Sequence, residues 1–203
     1  MTRVSLPLGW LAPKSKADLA FIMHSLSWLA ASGTAAIVCF PGVLYRGGAE
    51  QKIRKYLVDN NYIDCVIQLP DNLFFGTSIA TCIMALRKAK SENTTLFIDA
   101  SREFVKVTNS NKLTQENIER IVAAYMRRNT EQYFTRLVPN SEIEAQDYNI
   151  SVSTYVEQED KREAVDIAVL NAEIERIVSR SDVLRKEIAA IVSEIEGDND
   201  ERA

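Results

Sequence analysis

The stretch "LPDNLFFGTSIATCIMAL", residues 69–86, sets two adjacent aromatic rings, Phe74 and Phe75, in a short polar loop between apolar runs. On the residues alone, one or both rings are expected to fold back as a lid on the neighbouring core. A second group with chemical potential is basic. Arg46, Lys52, Arg54 and Lys55 surround a Gly47-Gly48 helix start, where unsatisfied backbone N–H groups favour an anion. The alternative for these four is a solvated helix face, balanced in part by Glu50. His24 is the only histidine, and no neighbouring Cys, Asp or Glu forms a nucleophile or metal constellation with it. Cys39, Cys65 and Cys82 sit singly in apolar runs without a C-x-x-C pair, as reduced core thiols of a cytosolic protein do.

Composition narrows the class. A chain of 203 residues with 46% hydrophobic content can bury a sizeable core as one domain, or one domain with an extension. No apolar stretch approaches the roughly 18 to 20 residues needed to cross a bilayer, and no secretory leader pattern opens the chain. A net charge of -4 provides no basic footprint for holding nucleic acid unaided, so any DNA role requires a partner.

The elements that must position these residues follow from periodicity. "TAAIVCF" (34–40) and "IDCVIQL" (63–69) read as strands buried on both faces, and "GGAEQKIRKYLVDNN" between them as a helix running from the Gly pair to Asn60 and Asn61. Strand, helix and strand make a parallel βαβ unit, hence an α/β fold. "IATCIMAL" (79–86) follows too soon for a crossover helix, so it runs antiparallel, and its two apolar faces make it interior. "TTLFIDA" (94–100) adds a further strand. Upstream, residues 15–33 read as a helix with Ser15 as N-cap. Leu19, Ile22, Met23, Leu26 and Leu29 form its core stripe, and Phe21, His24, Ser25 and Trp28 a second stripe opposite. Phe21 on this evidence is a core aromatic and Asp18 a cap of its own helix.

Beyond residue 100, a helix is expected over Thr114–Arg128, then a polar, irregular connection through Pro139 and "DYNISVSTYV" (147–156). From 161 to 196 Ile167, Leu170, Ile174, Ile177, Ser181, Leu184, Ile188, Ile191 and Ile195 recur at steps of three and four, a coiled-coil seam with one polar defect at Ser181. Such a helix is on the order of 50 Å long and reaches beyond a small domain. The tail "GDNDERA" is expected to fray. The expected organisation is therefore 1–110, 111–160 and 161–203.

"GWLAPKSKADLAFIMHSL", "GGAEQKIRKYLVDNNYIDCVIQLPDNLFFGTSIATCIMAL" and "DYNISVSTYV" together resemble the C-terminal part of the modification subunit of Type I restriction-modification systems, the adenine-N6 DNA methyltransferases that use S-adenosylmethionine. The resemblance spans about residues 8–160. It implies the C-terminal half of a Rossmann-like S-adenosylmethionine-dependent methyltransferase sheet: a parallel βαβ pair, then an antiparallel strand inserted between its members, with a long helix at the C-terminus. It implies that Phe74, with Phe75 as the adjacent alternative, walls an adenine swung out of the duplex. Phe21 and Asp18 would border the cofactor, Arg46, Lys52, Arg54 and Lys55 would meet DNA phosphate, and the seam Ile167, Leu170, Ile174, Ile177, Leu184, Ile188 and Ile191 would dock on the specificity subunit. The implied partners are DNA, the specificity subunit, the restriction subunit and the remaining N-terminal part of the methyltransferase.

The family's Asn-Pro-Pro-Tyr or Asn-Pro-Pro-Phe motif is absent, since the five prolines are never adjacent, and no glycine-rich strand-to-helix turn is present to cradle a cofactor. The chain is thus expected to lack strands one to four, to be inactive alone and to self-associate through an exposed sheet edge. Two other readings remain: a non-catalytic assembly module acting through its C-terminal helix, and another nucleotide-binding α/β enzyme, which would need the missing glycine turn.

Overall fold

The computed structural model describes residues 12–13, 16–159 and 167–200, with backbone only for 194–200. It divides into two units, residues 1–159 and 160–203, each treated by itself.

In the first unit α1 (Asp18–Trp28) lays Leu19, Ile22, Met23 and Leu26 into the core, as the expected stripe requires. It starts later than expected: Ala17 is the N-cap and no side chain caps it, while Ser15 lies outside the described residues. β1 (Thr34–Cys39) leads through a 3-10 turn at Pro41–Leu44 to α2 (Ala49–Asp59), β2 (Ile63–Gln68), β3 (Cys82–Arg87) and β4 (Thr94–Asp99). A hairpin, β5 (Val105–Val107) and β6 (Ser110–Lys112), precedes α3 (Gln115–Arg127). β7 (Thr135–Pro139), α4 (Asn140–Ala145) and α5 (Val152–Tyr155) complete the unit.

The main sheet has the order β1-β3-β2-β4-β7. β3 pairs antiparallel with both β1 and β2, so those two run parallel with β3 between them, the insertion that the resemblance implies. β4 runs parallel to β2, and β7 antiparallel to β4. Cys82, Met84 and Leu86 of β3 pack toward α1 and α2, whereas Ala85 and Ile83 face the other layer, where Ile121 and Ala124 of α3 cover Leu96 and Ile98. A bulge at Asp64 shifts the β2 register between Ile63 and Cys65. The buried Asp64 carboxylate accepts from the Tyr125 hydroxyl at 2.6 Å and from Arg128 at 3.0 Å, which fastens α3 to β2. Thr114 caps α3 reciprocally with Asn117.

Further expectations are corrected. β1 is not buried on both faces: Ala35, Ile37 and Cys39 pack inward, but Thr34, Ala36 and Val38 are exposed because no helix of the described residues covers that side of β1. The stretch after α3 is not merely irregular, since β7 joins the sheet and Ile150, Val152 and Tyr155 are core, with the Tyr155 ring stacked on Phe97 at 4.3 Å. Polar composition hid this because the apolar residues there are spaced for neither period. The last correction is in the second unit, where α6 (Ile167–Asp200) runs as helix through the residues expected to fray, up to Asp200.

Arg54, expected at the surface, has only 1% of its area exposed. Its guanidinium donates to the Tyr148 carbonyl at 2.8 Å and the Val43 carbonyl at 3.1 Å, joining α2 to two irregular segments. Burial lowers its pKa to about 10, so it stays charged at neutral pH. Arg54→Ala leaves both carbonyls without a donor and is expected to destabilise the unit by about 3 kcal/mol, measured by urea unfolding.

All three cysteines are free and buried. Burial raises Cys39 to about 11 and Cys82 to about 12, and pushes Cys65 up further still. The native thiols are expected to resist a disulfide reagent at pH 8 and to react once denaturant is added. Because the raised folded pKa values leave only the unfolded thiols ionising above pH 9, the thiol contribution to stability is full below pH 9. It is expected to fall as pH rises past that value, which a urea titration at pH 8, 9 and 10 reads, with a Cys39→Ala, Cys82→Ala chain as reference.

Candidate functional site: an exposed aromatic loop

The connection from β2 to β3, residues 69–81, is far longer than the two-residue turn that an antiparallel reversal requires. Leu69 N–H donates to the Thr81 carbonyl at 2.9 Å, extending the ladder one step before the chains part. Asn72 and Gly76 both take positive φ, 50° and 80°. Thr77 N–H donates to the Phe74 carbonyl at 3.4 Å, closing a four-residue turn with Gly76 third, where a positive φ is needed and no neighbouring atom lies within 4 Å of a would-be Cβ. Phe75 occupies the tip of that turn.

This geometry decides the fate of the rings. Leu73 packs on the core beside α3, while Phe74 keeps 45% of its area exposed and Phe75 is fully exposed at 108%. Phe75 is therefore no lid on the sheet. The loop is held from outside by the β5–β6 hairpin, for Asn111 N–H donates to the Asn72 carbonyl at 3.0 Å. The Asn111 side-chain amide donates to the Asp71 carbonyl at 3.0 Å and the Asp71 carboxylate at 2.8 Å. Asn111 lies forty residues from Asp71 in a polar segment, and no sequence signal marked it.

Asp18 and Phe21 stand one turn apart on α1, both exposed, Phe21 by 67%. Trp28 on the same helix is exposed as well and its ring lies 4.7 Å from that of His24. The second stripe thus faces away from the core, against the core reading of Phe21. Among the described residues, no hydrogen bond, ion pair or ring contact joins Phe21 to Phe74 or Phe75.

The basic cluster does not act as one group. Arg54 is internal, as above. Arg46 lies over the Phe40 ring at 5.4 Å and 3.7 Å from Glu50, whose buried carboxylate sits in the first turn of α2. The positive end of that helix therefore already faces a carboxylate of the chain itself. Lys55 bonds the Tyr148 hydroxyl and pairs with Asp59 at 3.1 Å, contacts that raise its pKa. Lys52 is exposed. Among the described residues no cluster of His, Cys, Asp and Glu could hold a metal ion.

In the second unit, Ile167, Leu170, Ile174, Ile177, Leu184, Ile188 and Ile191 are all exposed along α6, and Ser181 is half-buried. All of these positions lie on one helix, and none of the seven apolar ones is covered within that unit.

A mixed α/β sheet with an antiparallel strand inserted between parallel neighbours, an exposed aromatic loop at the C-terminal end of β2 and a long helix define the class of protein. The chain belongs to the N-6 DNA methylase family, whose model matches residues 5–164. It is 49% identical over 193 residues to the Type I restriction enzyme MpnII methylase subunit of Mycoplasma pneumoniae, covering 95% of this chain and 36% of that protein. It is 35% identical to the MjaVII methylase subunit of Methanocaldococcus jannaschii, over 92% of this chain and 33% of that one. Among solved structures, the type I restriction-modification methyltransferase subunit from Streptococcus thermophilus superposes with a TM-score of 0.73 at 46% identity, covering 74% of this chain and 32% of that one. The chain thus spans about a third of the length of these relatives.

Removing the Asn111 brace tests its hold on the loop. Asn111→Ala gives up side-chain bonds worth about 1 kcal/mol and is expected to speed chymotryptic cleavage at Phe74 and Phe75 about fivefold. The melting temperature of the unit should hardly move.

Proposed function

We propose that this chain is the C-terminal part of a Type I modification subunit that methylates adenine N6 in DNA, and that it supplies half of a Rossmann-like catalytic sheet, the base-contacting loop and a partner-binding helix. The observation that carries the proposal is the aromatic pair held away from the core on a braced turn. A target amine inside a duplex is out of reach, so the base must leave the stack, and an extruded base needs an apolar face to rest on. Phe74, half exposed and anchored beside Leu73, is suited to be that face, with Phe75 as its neighbour at the tip.

S-adenosylmethionine would supply the methyl group. Asp18 and Phe21 fit one side of an adenosine site, a carboxylate to accept from a hydroxyl and a ring to stack, but both lie open on α1. The rest of that pocket, and the Asn-Pro-Pro motif that would align the target amine, are not in this sequence. The chain alone is accordingly inactive. DNA phosphate contact falls to Lys52 first, and to Arg46 and Lys55 where phosphate displaces their present partners; Arg54 supports α2 from within. The uncovered seam of α6 supports docking on a specificity subunit, with the restriction subunit joining the assembly. The reading carries a cytoplasmic location, and among the described residues no helix is long and apolar enough to cross a membrane.

A second reading, an assembly module without catalysis, is favoured by the same α6 seam, since it needs no aromatic loop. One experiment separates the two. The chain is combined with the portion of the Mycoplasma pneumoniae subunit that it does not match and with a specificity subunit, and tritiated methyl transfer into DNA is followed. Transfer is expected only in the combined sample. Phe74→Ala is expected to reduce it between about 5- and 150-fold, since stacking on a base is worth about 1–3 kcal/mol. Transfer indifferent to both Phe74→Ala and Phe75→Ala would remove the base-wall role. No transfer at all, with residues 161–196 still binding the specificity subunit, would leave the assembly module.

A further inference from the structure

β5 and β6 form a two-stranded ribbon that pairs with no other strand of the described residues, and every residue from Phe104 to Ser110 is exposed. The ribbon is fastened to the aromatic loop instead. The three hydrogen bonds from Asn111 to Asp71 and Asn72 hold it beside the turn that carries Phe74 and Phe75.

Its charge is unlike that of the chain as a whole. From Phe104 to Gln115 there is no Asp or Glu, while Lys106 and Lys112 are both exposed. The nearby acids are already engaged, since Asp71 accepts from Asn111 and Glu103 pairs with Arg120 at 2.8 Å. Among the described residues neither lysine forms an ion pair. Lys106 stands opposite Asn111 in the ladder and Lys112 opposite Val105, and opposed residues share a face. Lys106 is therefore on the side that Asn111 turns to the loop, and Lys112 on the other.

The tip has its own peculiarity. Thr108 takes a φ of 49° in the two-residue turn between Val107 and Ser110, a left-handed value that suits glycine and is unusual for a β-branched residue. The turn thus presents three hydrogen-bonding side chains, Thr108, Asn109 and Ser110, where glycine would close it with less strain.

We propose that the β5–β6 ribbon is a second DNA contact, lying in the groove beside the target base with Lys106 and Lys112 on backbone phosphates and Asn109 toward a base edge. A two-stranded ribbon fits the major groove, and an amide side chain can pair with a base edge there. Cations free of partners select a polyanion, and continuity with the aromatic loop selects the duplex from which the base is drawn. The choice of DNA rests on the reading given under Proposed function; the exposed cationic ribbon rests on the geometry.

The test uses the combined assembly of that section and the duplex its specificity subunit recognises. Binding is followed by fluorescence anisotropy between about 50 and 200 mM salt. Each phosphate contact contributes about 0.9 to the slope of log affinity against log salt, so Lys106→Gln with Lys112→Gln is expected to lower that slope by about 2. KM for DNA should rise about tenfold with kcat unchanged, the mark of a uniform binding contact. Lys106→Arg with Lys112→Arg should restore both, which separates lost charge from a disturbed hairpin. Arg127→Gln, the same kind of loss from an exposed position at the end of α3, should leave the slope alone. Asn109→Cys, an exposed thiol where the native three are buried, should cross-link to a duplex bearing an activated thiol on a base next to the target, and Arg127→Cys should not.

An unchanged slope with no cross-link overturns the proposal. So does an assembly that binds no DNA, or one whose assembly fails with Val105→Ser and Val107→Ser while the slope stays, which makes the ribbon a seat for another subunit. A lysine-dependent slope in an assembly that transfers no methyl keeps the ribbon and sinks the methyltransferase reading. Methyl transfer indifferent to both lysines does the reverse.

Discussion

The insertion of β3 between β1 and β2 is the constraint on which the rest depends. A strand hydrogen-bonded on both sides and covered on one whole face must be apolar throughout, and Cys82 to Leu86 meet that demand. Reaching the slot forces the chain to reverse at the C-terminal end of β2. The loop from Leu69 to Thr81 makes that reversal with many more residues than a tight turn needs, and it carries Phe74 and Phe75. The sheet order therefore places the aromatic site.

Long-range polar ties hold the surrounding connections. Arg54 satisfies carbonyls from two segments with one buried guanidinium. Asn140 plays the same part at the start of α4, where its amide donates to the Val58 carbonyl and to the side chains of Asn61 and Asn93, and its oxygen accepts from Thr95. Each tie fixes irregular backbone that has no ladder of its own, and each is costly to cut because Val43 and Tyr148, and Val58 and Thr95, are buried partners. In contrast, the exposed ion pairs along α6, such as Arg176 with Glu173 at 3.8 Å, contribute little.

The surfaces divide by what they lack. Phe75 at the turn tip, Phe21 and Trp28 on α1, Ile118, Val122 and Met126 on α3 and the α6 seam are large apolar groups in water. Large apolar groups gathered on an exposed face are the surfaces at which proteins make contacts. A net charge of -4 gives the chain no overall attraction for a polyanion.

Local periodicity by itself determined α2, β2, β4, α3, helix α6 and β3 from Cys82 onward, though not residues 79–81, which lie outside the strand with Ile79 exposed. Chain length between β2 and β3 determined their antiparallel sense, and the quoted stretches determined the family. Tertiary structure alone decided that β1 has an open face, that Arg54 is internal while Lys52 is not, and that β7 and "DYNISVSTYV" belong to the core. It alone recruited Asn111 to brace the loop. The physical reason is the same in each case: burial and pairing depend on neighbours tens of residues away, and a charged or polar side chain looks alike in sequence whether it meets water or a carbonyl forty residues distant.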